Sequence, residues 1–380
     1  MKIKTLESDS ILELKQKLST NITSDFKPNI AIVFASVELE IVELCELFDK
    51  ENIKLYGCTT CGEFLYNEKE QLITDGSLVC LLMDLLPGTF NFNLLKNNNY
   101  SSIESGKQIG LWAKESFKNP GLIILASGLE TDGEMLVRGI QNKTNDTIKM
   151  FGGLAGDDAK FNKTYVFTND GMEENSVLAM VLDLDFYEMN GIASSGWVGI
   201  GADKIITKSE GNIVYTIDNE PALDVYKTYL NVADDDLPEI GIEFPLLLKN
   251  VDRQHVLRAV LNVDKEKKSL IFAGSVPQGS VVSFSSSPGF EIIEFTKNNV
   301  AKFYELHKQT DLLILFSCMA RHNALGPTIS EEIEDAWRKW NVPLIGFFTY
   351  GEIGNNFNST CDFHNQTFTL VSIKQKDNAI

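Results

Sequence analysis

The feature that most limits how this chain can fold is a block that occurs three times. In the first copy an apolar run, Asn29–Ser36, precedes helical spacing over Val37–Asp49. A second apolar run at Ile53–Gly57 follows, then the small-residue turn Cys58-Thr-Thr-Cys-Gly-Glu63 and a strand-like stretch at Asp75–Leu85. The second copy passes through Gly121–Ser127, Glu134–Gln141 and Lys149–Phe151 to the turn Gly152-Gly-Leu-Ala-Gly-Asp-Asp158. The third passes through Asp311–Cys318, Ser330–Trp340 and Pro343–Phe348 to Thr349-Tyr-Gly-Glu-Ile-Gly354, closing with Thr367–Ile373. Short continuous apolar runs that end in small polar residues mark strands buried on both faces. The order predicts an α/β fold, two domains of repeated strand-helix-strand units with mixed sheets. It also puts the Gly-rich turns at the carboxyl ends of strands, where open α/β sheets place ligands.

After the second block, Lys163–Thr168 and Ser176–Leu184 read as a hairpin. A different stretch precedes the third block. Lys208–Ile217 reads as a hairpin turning at Glu210-Gly211, and Pro221–Leu230 as a helix with proline in its first turn. Asn231–Leu237 reads as an acidic loop, and His255–Val263 with Ser269–Gly274 as a further hairpin. The boundary falls after the second block has closed, giving domains 1–189 and 190–380.

Charge narrows the partners. With 53 acids against 34 bases the formal net charge is −19. Such a surface repels phosphate backbones and anionic lipid heads, which disfavours nucleic acid and membrane-surface partners. The longest apolar runs, such as Leu312–Phe316, are too short to span a bilayer. The acid-bearing N-terminus does not read as a signal peptide, and the six cysteines sit mostly in apolar segments. These features together predict a soluble protein of a reducing cytoplasm.

The residues that could do chemistry gather late in the sequence. Tyr350 and Glu352 flank Gly351 at the end of an apolar strand, and Arg321 follows the neighbouring strand. Two roles stand open for this set. Arg321 could clamp a carboxylate or phosphate through two parallel bonds, or Arg321 and Glu352 could pair and fasten two loops. Arg321, Tyr350, Glu352 and Cys318 are the candidate ligand contacts, with His364 behind them. Gly153, Gly156 and Asp157 form a secondary candidate, since a Gly-rich turn can offer backbone N–H groups to an anion. Packing is the other reading of that turn, which carries neither a phosphate-binding lysine nor the dinucleotide glycine spacing. Cys58 and Cys61 make a lone C-x-x-C without a second pair, and no two of His255, His307, His322 and His364 have zinc-helix spacing. No nucleophile elbow or metalloprotease motif is present. A Cys318–His364 hydrolase stays a minor alternative to a chain that is not an enzyme.

The order of motifs resembles the FIST family, a pair of sensory domains named N and C. The N-part features are Gly57-Cys-Thr-Thr-Cys-Gly-Glu63 and Phe151-Gly-Gly-Leu-Ala-Gly-Asp-Asp158. The C-part features begin with Gly196-Trp197, Gly199, Pro221-Ala222 and Gly274-Ser-Val-Pro-Gln-Gly279. They end with Phe316-Ser-Cys-Met-Ala-Arg321, Gly346–Gly354 and His364-Asn-Gln-Thr367, so the resemblance covers about Pro28–Ile373. It implies a signal-input module that binds a small molecule, an amino acid among the candidates. Such a module would act in trans on a histidine kinase of a two-component system, a cyclic-diguanylate enzyme or a chemoreceptor. One branch of the family binds haem and senses nitric oxide, which makes haem a possible cofactor and its histidine an open question.

Overall fold

A computed structural model describes residues 1–97, 100–233, 237, 239–249, 255–355, 357 and 360–377. The expected acidic loop over Asn231–Leu237 lies partly outside the described residues.

Each of the three blocks is longer than its sequence signature. The first unit runs β1 (Lys2–Ser8), α1 (Ile11–Asn21), β2 (Ile30–Ala35), α2 (Ile41–Lys50), β3 (Lys54–Thr59), the hairpin β4–β5 (Glu63–Tyr66 and Gln71–Thr74) and β6 (Leu78–Asp84). The second repeats this order. It runs β7 (Phe90–Lys96), α3 (Ser102–Ser116), β8 (Pro120–Ala126), α4 (Gly133–Thr144), β9 (Lys149–Leu154), the hairpin β10–β11 (Val166–Thr168 and Gly171–Glu173) and β12 (Ser176–Asp183). The third opens with β13 (Tyr187–Ser194) and, after an insertion, resumes at α7 (Glu291–Leu306). It continues through β22 (Leu312–Cys318), α8 (Met319–Leu325), α9 (Ile329–Trp340) and β23 (Leu344–Thr349), then the hairpin β24–β25 (Glu352–Gly354 and Asp362–His364) and β26 (Phe368–Gln375). Position 189/190 lies inside β13.

The insertion folds as an antiparallel sheet. Its elements are β14 (Val198–Glu210), β15 (Ile213–Ile217), β16 (Glu220–Pro221), α5 (Ala222–Leu230), α6 (Glu239–Glu243), β17 (Leu246–Lys249), β18 (Val256–Arg258), β19 (Val260–Asp264), β20 (Ser269–Phe272) and β21 (Val281–Ser286). Both expected turns are found here, between β14 and β15 and between β19 and β20. β18 instead pairs with β17.

The three units share one sheet order. It is β1-β6-β2-β3-β10-β11 in the first, β7-β12-β8-β9-β24-β25 in the second and β13-β26-β22-β23-β4-β5 in the third. Two central strands are parallel, in the register Ile30↔Lys54, Gly121↔Lys149 and Leu313↔Leu344. The last two strands of each sheet come from another unit. The first unit lends β4–β5 to the third, the third lends β24–β25 to the second, and the second lends β10–β11 to the first.

This exchange corrects one expectation. Lys163–Thr168 and Ser176–Leu184 do not pair with each other: β10 turns back at once into β11 and joins β3, whereas β12 pairs with β7 and β8. Alternation alone cannot say which sheet a strand joins. Asn169 fastens the hairpin in its place: its side chain accepts from Leu55 N–H at 2.8 Å and donates to the Ile53 carbonyl at 2.9 Å.

The strands read as continuously apolar because both faces are covered. Ile30, Ile32 and Phe34 meet Ile123, Leu125, Ile314 and Phe316 in one central core shared by the three sheets. The alternate residues face helices: Ala31, Val33 and Ala35 lie under α1 and α2, and Leu122 and Ile124 under α3 and α4. Leu313 and Leu315 lie under α7 and α9. Glycines admit the lent hairpins. Gly57 stands opposite Phe167, Gly152 opposite Ile353 and Gly346 opposite Phe64. A Cβ on Gly57 would lie 2.1 Å from the Phe167 ring, and one on Gly346 2.2 Å from Phe64.

Candidate functional site

The Gly-rich turns are the crossover points of the hairpin exchange, and hydrogen bonds close them into a ring. Cys61 N–H donates to the Phe348 carbonyl at 3.0 Å, Gly156 N–H to Thr59 at 2.9 Å, and Tyr350 N–H to Leu154 at 3.2 Å. Each turn carries a buried acid: Glu63, Asp157 and Glu352. The first and third turns share the sequence Thr-x-Gly-Glu, and in both the threonine hydroxyl donates to the glutamate, Thr60 to Glu63 and Thr349 to Glu352. Asp157 accepts from the N–H groups of Phe161, Asn162 and Lys163 at 2.6–3.0 Å and from the Tyr350 hydroxyl. A Cβ on Gly156 would lie 2.3 Å from the Cys61 sulfur, so this turn is filled by its neighbour. Gly153 faces Glu352 across the β9–β24 ladder.

Around Glu352 the structure gathers three of the five main candidates. Its second carboxyl oxygen accepts from Thr367 N–H at 3.2 Å, Cys318 shares a hydrogen bond with it, and His364 is its cross-strand partner. Burial pushes the Glu352 carboxyl up to about 8, against the pull of its hydrogen bonds. Burial, and then Glu352 itself, pushes the Cys318 thiol well above its usual range. His364 Nε2 lies 3.1 Å from the Gly354 carbonyl, and burial lowers its pKa to about 4. Tyr350 points away, toward Asp157, with its ring stacked on Phe161 at 4.9 Å.

Arg321 is fully buried, and its carboxylate partner is Glu332 rather than Glu352. Nε donates to Glu332 at 3.1 Å, and Nη2 donates to Glu332 and, at 3.0 Å, to the Thr296 hydroxyl. Nη1 donates to the Ser195 and Gln366 carbonyls. All five guanidinium donors are therefore satisfied by the protein, and the group lies 5.6 Å from the Trp197 ring. A second buried arginine, Arg258, donates to Glu134 at 2.8 Å and to the Phe363 carbonyl at 3.1 Å. Arg258 fastens the inserted sheet to the second unit and to the hairpin lent to it, whereas the partners of Arg321 lie within the third unit.

Open space lies elsewhere. Two chambers of about 370 and 380 Å³ adjoin at the far end of the strands from the ring of turns. Both are lined by Thr147, Lys149, Asn190 and His307, so they form one cleft between the second and third units. Lys149 Nζ donates to Asn190 Oδ1 at 2.7 Å where the chambers meet. Lys376 lines the first chamber and donates to the Leu184 carbonyl at 2.6 Å. Lys149, His307 and Lys376 were not singled out as binding residues in the sequence. The available signal was slight, a charged residue opening an otherwise apolar strand at Lys149.

Comparison with known families decides what kind of molecule this is. The FIST N domain matches residues 29–220 and the FIST C domain residues 222–355. The chain belongs to the FIST family. FIST domains are small-ligand-binding sensor domains of signalling proteins. No curated protein matches the chain. In this FIST chain the N match runs from just before β2 through the second unit and β13 to the start of β16 in the insertion, and the C match begins at the first residue of α5. No helix is long and apolar enough to cross a membrane among the described residues.

Proposed function

We propose that this FIST chain is a cytoplasmic small-ligand sensor that acts in trans, changing its fit to a signalling partner such as a histidine kinase, a cyclic-diguanylate enzyme or a chemoreceptor. The observation that carries this reading is the position of the cleft. Its walls come from 119–191, inside the FIST N match, and from 303–376, of which 303–355 lies inside the FIST C match. A ligand bound there touches both, and it shifts their arrangement by the difference in its affinity for the two states. For Arg321, Glu352, Cys318 and His364 the satisfied hydrogen bonds support fastening of the crossover rather than first contact with ligand. Half-buried Tyr350, stacked on exposed Phe161, is the member of that set with a face toward solvent.

A thermal-shift screen with small metabolites tests the proposal. Stabilisation by at least one compound, with no turnover of it, is expected; a Tm unmoved across the screen would contradict the sensor reading. Hydrolase chemistry finds no support at Cys318. A nucleophilic thiol needs a lowered pKa and a base, whereas Cys318 faces a carboxyl group and His364 is engaged with Gly354.

Haem also fits poorly. His364 is bonded and buried, His322 lies flat on Phe348 at 4.3 Å, and His255 is exposed. His307 reaches the cleft, but the Lys149–Asn190 bond stands across the space a flat macrocycle needs. Protein expressed with added haem is expected to be colourless. A Soret band lost in His307→Ala would overturn that expectation.

A further inference from the structure

The cleft between the second and third units has two chemically different chambers. The first carries Lys149, Lys376 and the His307 ring, with Asn119 and Asn190 as neutral polar neighbours and Glu188 on its exposed rim. The second brings together Met150, Phe151, Phe303, Leu306 and Phe357, with Asp146, Thr147, Asn355 and Thr360 as its polar lining, and is continuous with the first through Lys149.

In a chain of net charge −19, the two lysines are notable for what they bond. Lys149 donates to an amide oxygen and Lys376 to a backbone carbonyl, both neutral acceptors. Among the described residues neither ammonium has a carboxylate within 4.0 Å. An ammonium has three donors, so each lysine retains capacity for an incoming acceptor. Partial loss of water and the nearby Lys376 lower the Lys149 pKa against the pull of Glu188. Burial and Lys149 likewise lower that of His307.

The repeat supplies an internal comparison. Lys54 opens β3 at the position Lys149 holds in β9, and a cleft of about 460 Å³ lies beside it. There the lysine sits 5.3 and 6.0 Å from the rings of Phe90 and Phe92, and Asp49 and Asp170 line the space. The third unit has Pro343 at this position, three residues before Gly346 as Lys54 and Lys149 are before Gly57 and Gly152. The fold therefore does not require a pair of cations here; among the described residues the junction of the second and third units carries one.

From the two lysines beside a group of aromatic side chains we infer that this cleft binds a small organic acid, its carboxylate held by Lys149 and Lys376, on the side away from Asp146, and its apolar body lying against Phe151, Phe303 and Phe357. This rests on the sensor reading and names the ligand class for it. A charge-assisted bond contributes more than a neutral one, and the chamber provides for an apolar body of a few carbons or one ring.

Titration calorimetry of the full chain with 3-phenylpropionate tests the inference, with 3-phenylpropanol as the neutral analogue and acetate as the head group alone. The acid is expected to bind at least tenfold more tightly than either. Lys149→Ala and Lys376→Ala are each expected to weaken it by about tenfold or more, with Lys54→Ala unchanged. Equal binding of acid and alcohol, no binding of the acid, or indifference to both cleft lysines would overturn the inference. If a compound from the metabolite screen still stabilises the Lys149→Ala, Lys376→Ala double variant as it does the parent, this assignment falls while the sensor reading stands.

Discussion

At the residue scale, the two buried arginines are each held by a carboxylate and by carbonyl groups. Arg321 illustrates the consequence. Removing one member of a buried, fully bonded ion pair strands the other, which typically costs about 3–5 kcal/mol. We expect Arg321→Ala to lower stability on that scale in denaturant titration. Arg321→Lys should recover little, because a point charge cannot reproduce five directed donors. Glu332, eleven residues on and set apart by a turn, offered no sequence spacing from which to read the pair.

Glu352 and His364 make opposite pH predictions. Glu352 titrates near 8 in the folded chain, above its ordinary 4.5, so the folded state holds the proton more firmly. Its contribution to stability is present below about 4.5 and is lost as pH rises through 8. His364 titrates near 4, below its ordinary 6.5, so the unfolded state takes the proton first and stability falls as pH drops from 6.5 toward 4. Tm measured against pH should show Glu352→Gln gaining on the parent as pH rises from 5 to 8. His364→Gln should gain as pH falls from 6.5 to 4, each by at most about 1.4 kcal/mol per pH unit. Parallel profiles for parent and variants would refute both assignments.

At the scale of elements, what could be read from the sequence was what the central core dictates. β2, β3, β8, β9, β22 and β23 are buried on both faces apart from Lys54 and Lys149, and their apolar runs announce them. The opening strands β1 and β7 are half-exposed sheet edges with weak alternation, so the repeat seemed shorter than it is. Hairpin destinations were hidden for another reason: Glu63–Thr74 would pair with any open strand edge. The trace they leave is a glycine within an apolar strand, whose partner, Phe167 for Gly57, Ile353 for Gly152 and Phe64 for Gly346, is far away in sequence. Gly346→Ala tests that trace. Its Cβ would meet the Leu315 carbonyl at 2.1 Å as well as Phe64, and an overpacked core site typically costs about 1–3 kcal/mol. A lower denaturant midpoint is expected, and an unchanged one would show that β4–β5 does not pack on β23 as described.

At the scale of the whole molecule, the sequence announced a sheltered hollow at the carboxyl ends of the strands, and the structure fills that place with crossing turns. Convergence of Lys149, Asn190, His307 and Lys376 from four separate segments has no local signature, which is why these residues were not singled out. The exchange gives the cleft its consequence. Because each unit completes the sheet of another, the proposed ligand at one junction would touch sheets that share strands with all three units. Hydrogen exchange followed by mass spectrometry on the intact chain tests this interlock most directly. The account predicts that β4–β5, β10–β11 and β24–β25 exchange together with β2, β8 and β22, through one cooperative opening. A hairpin that exchanges rapidly while the central strands stay protected would contradict it.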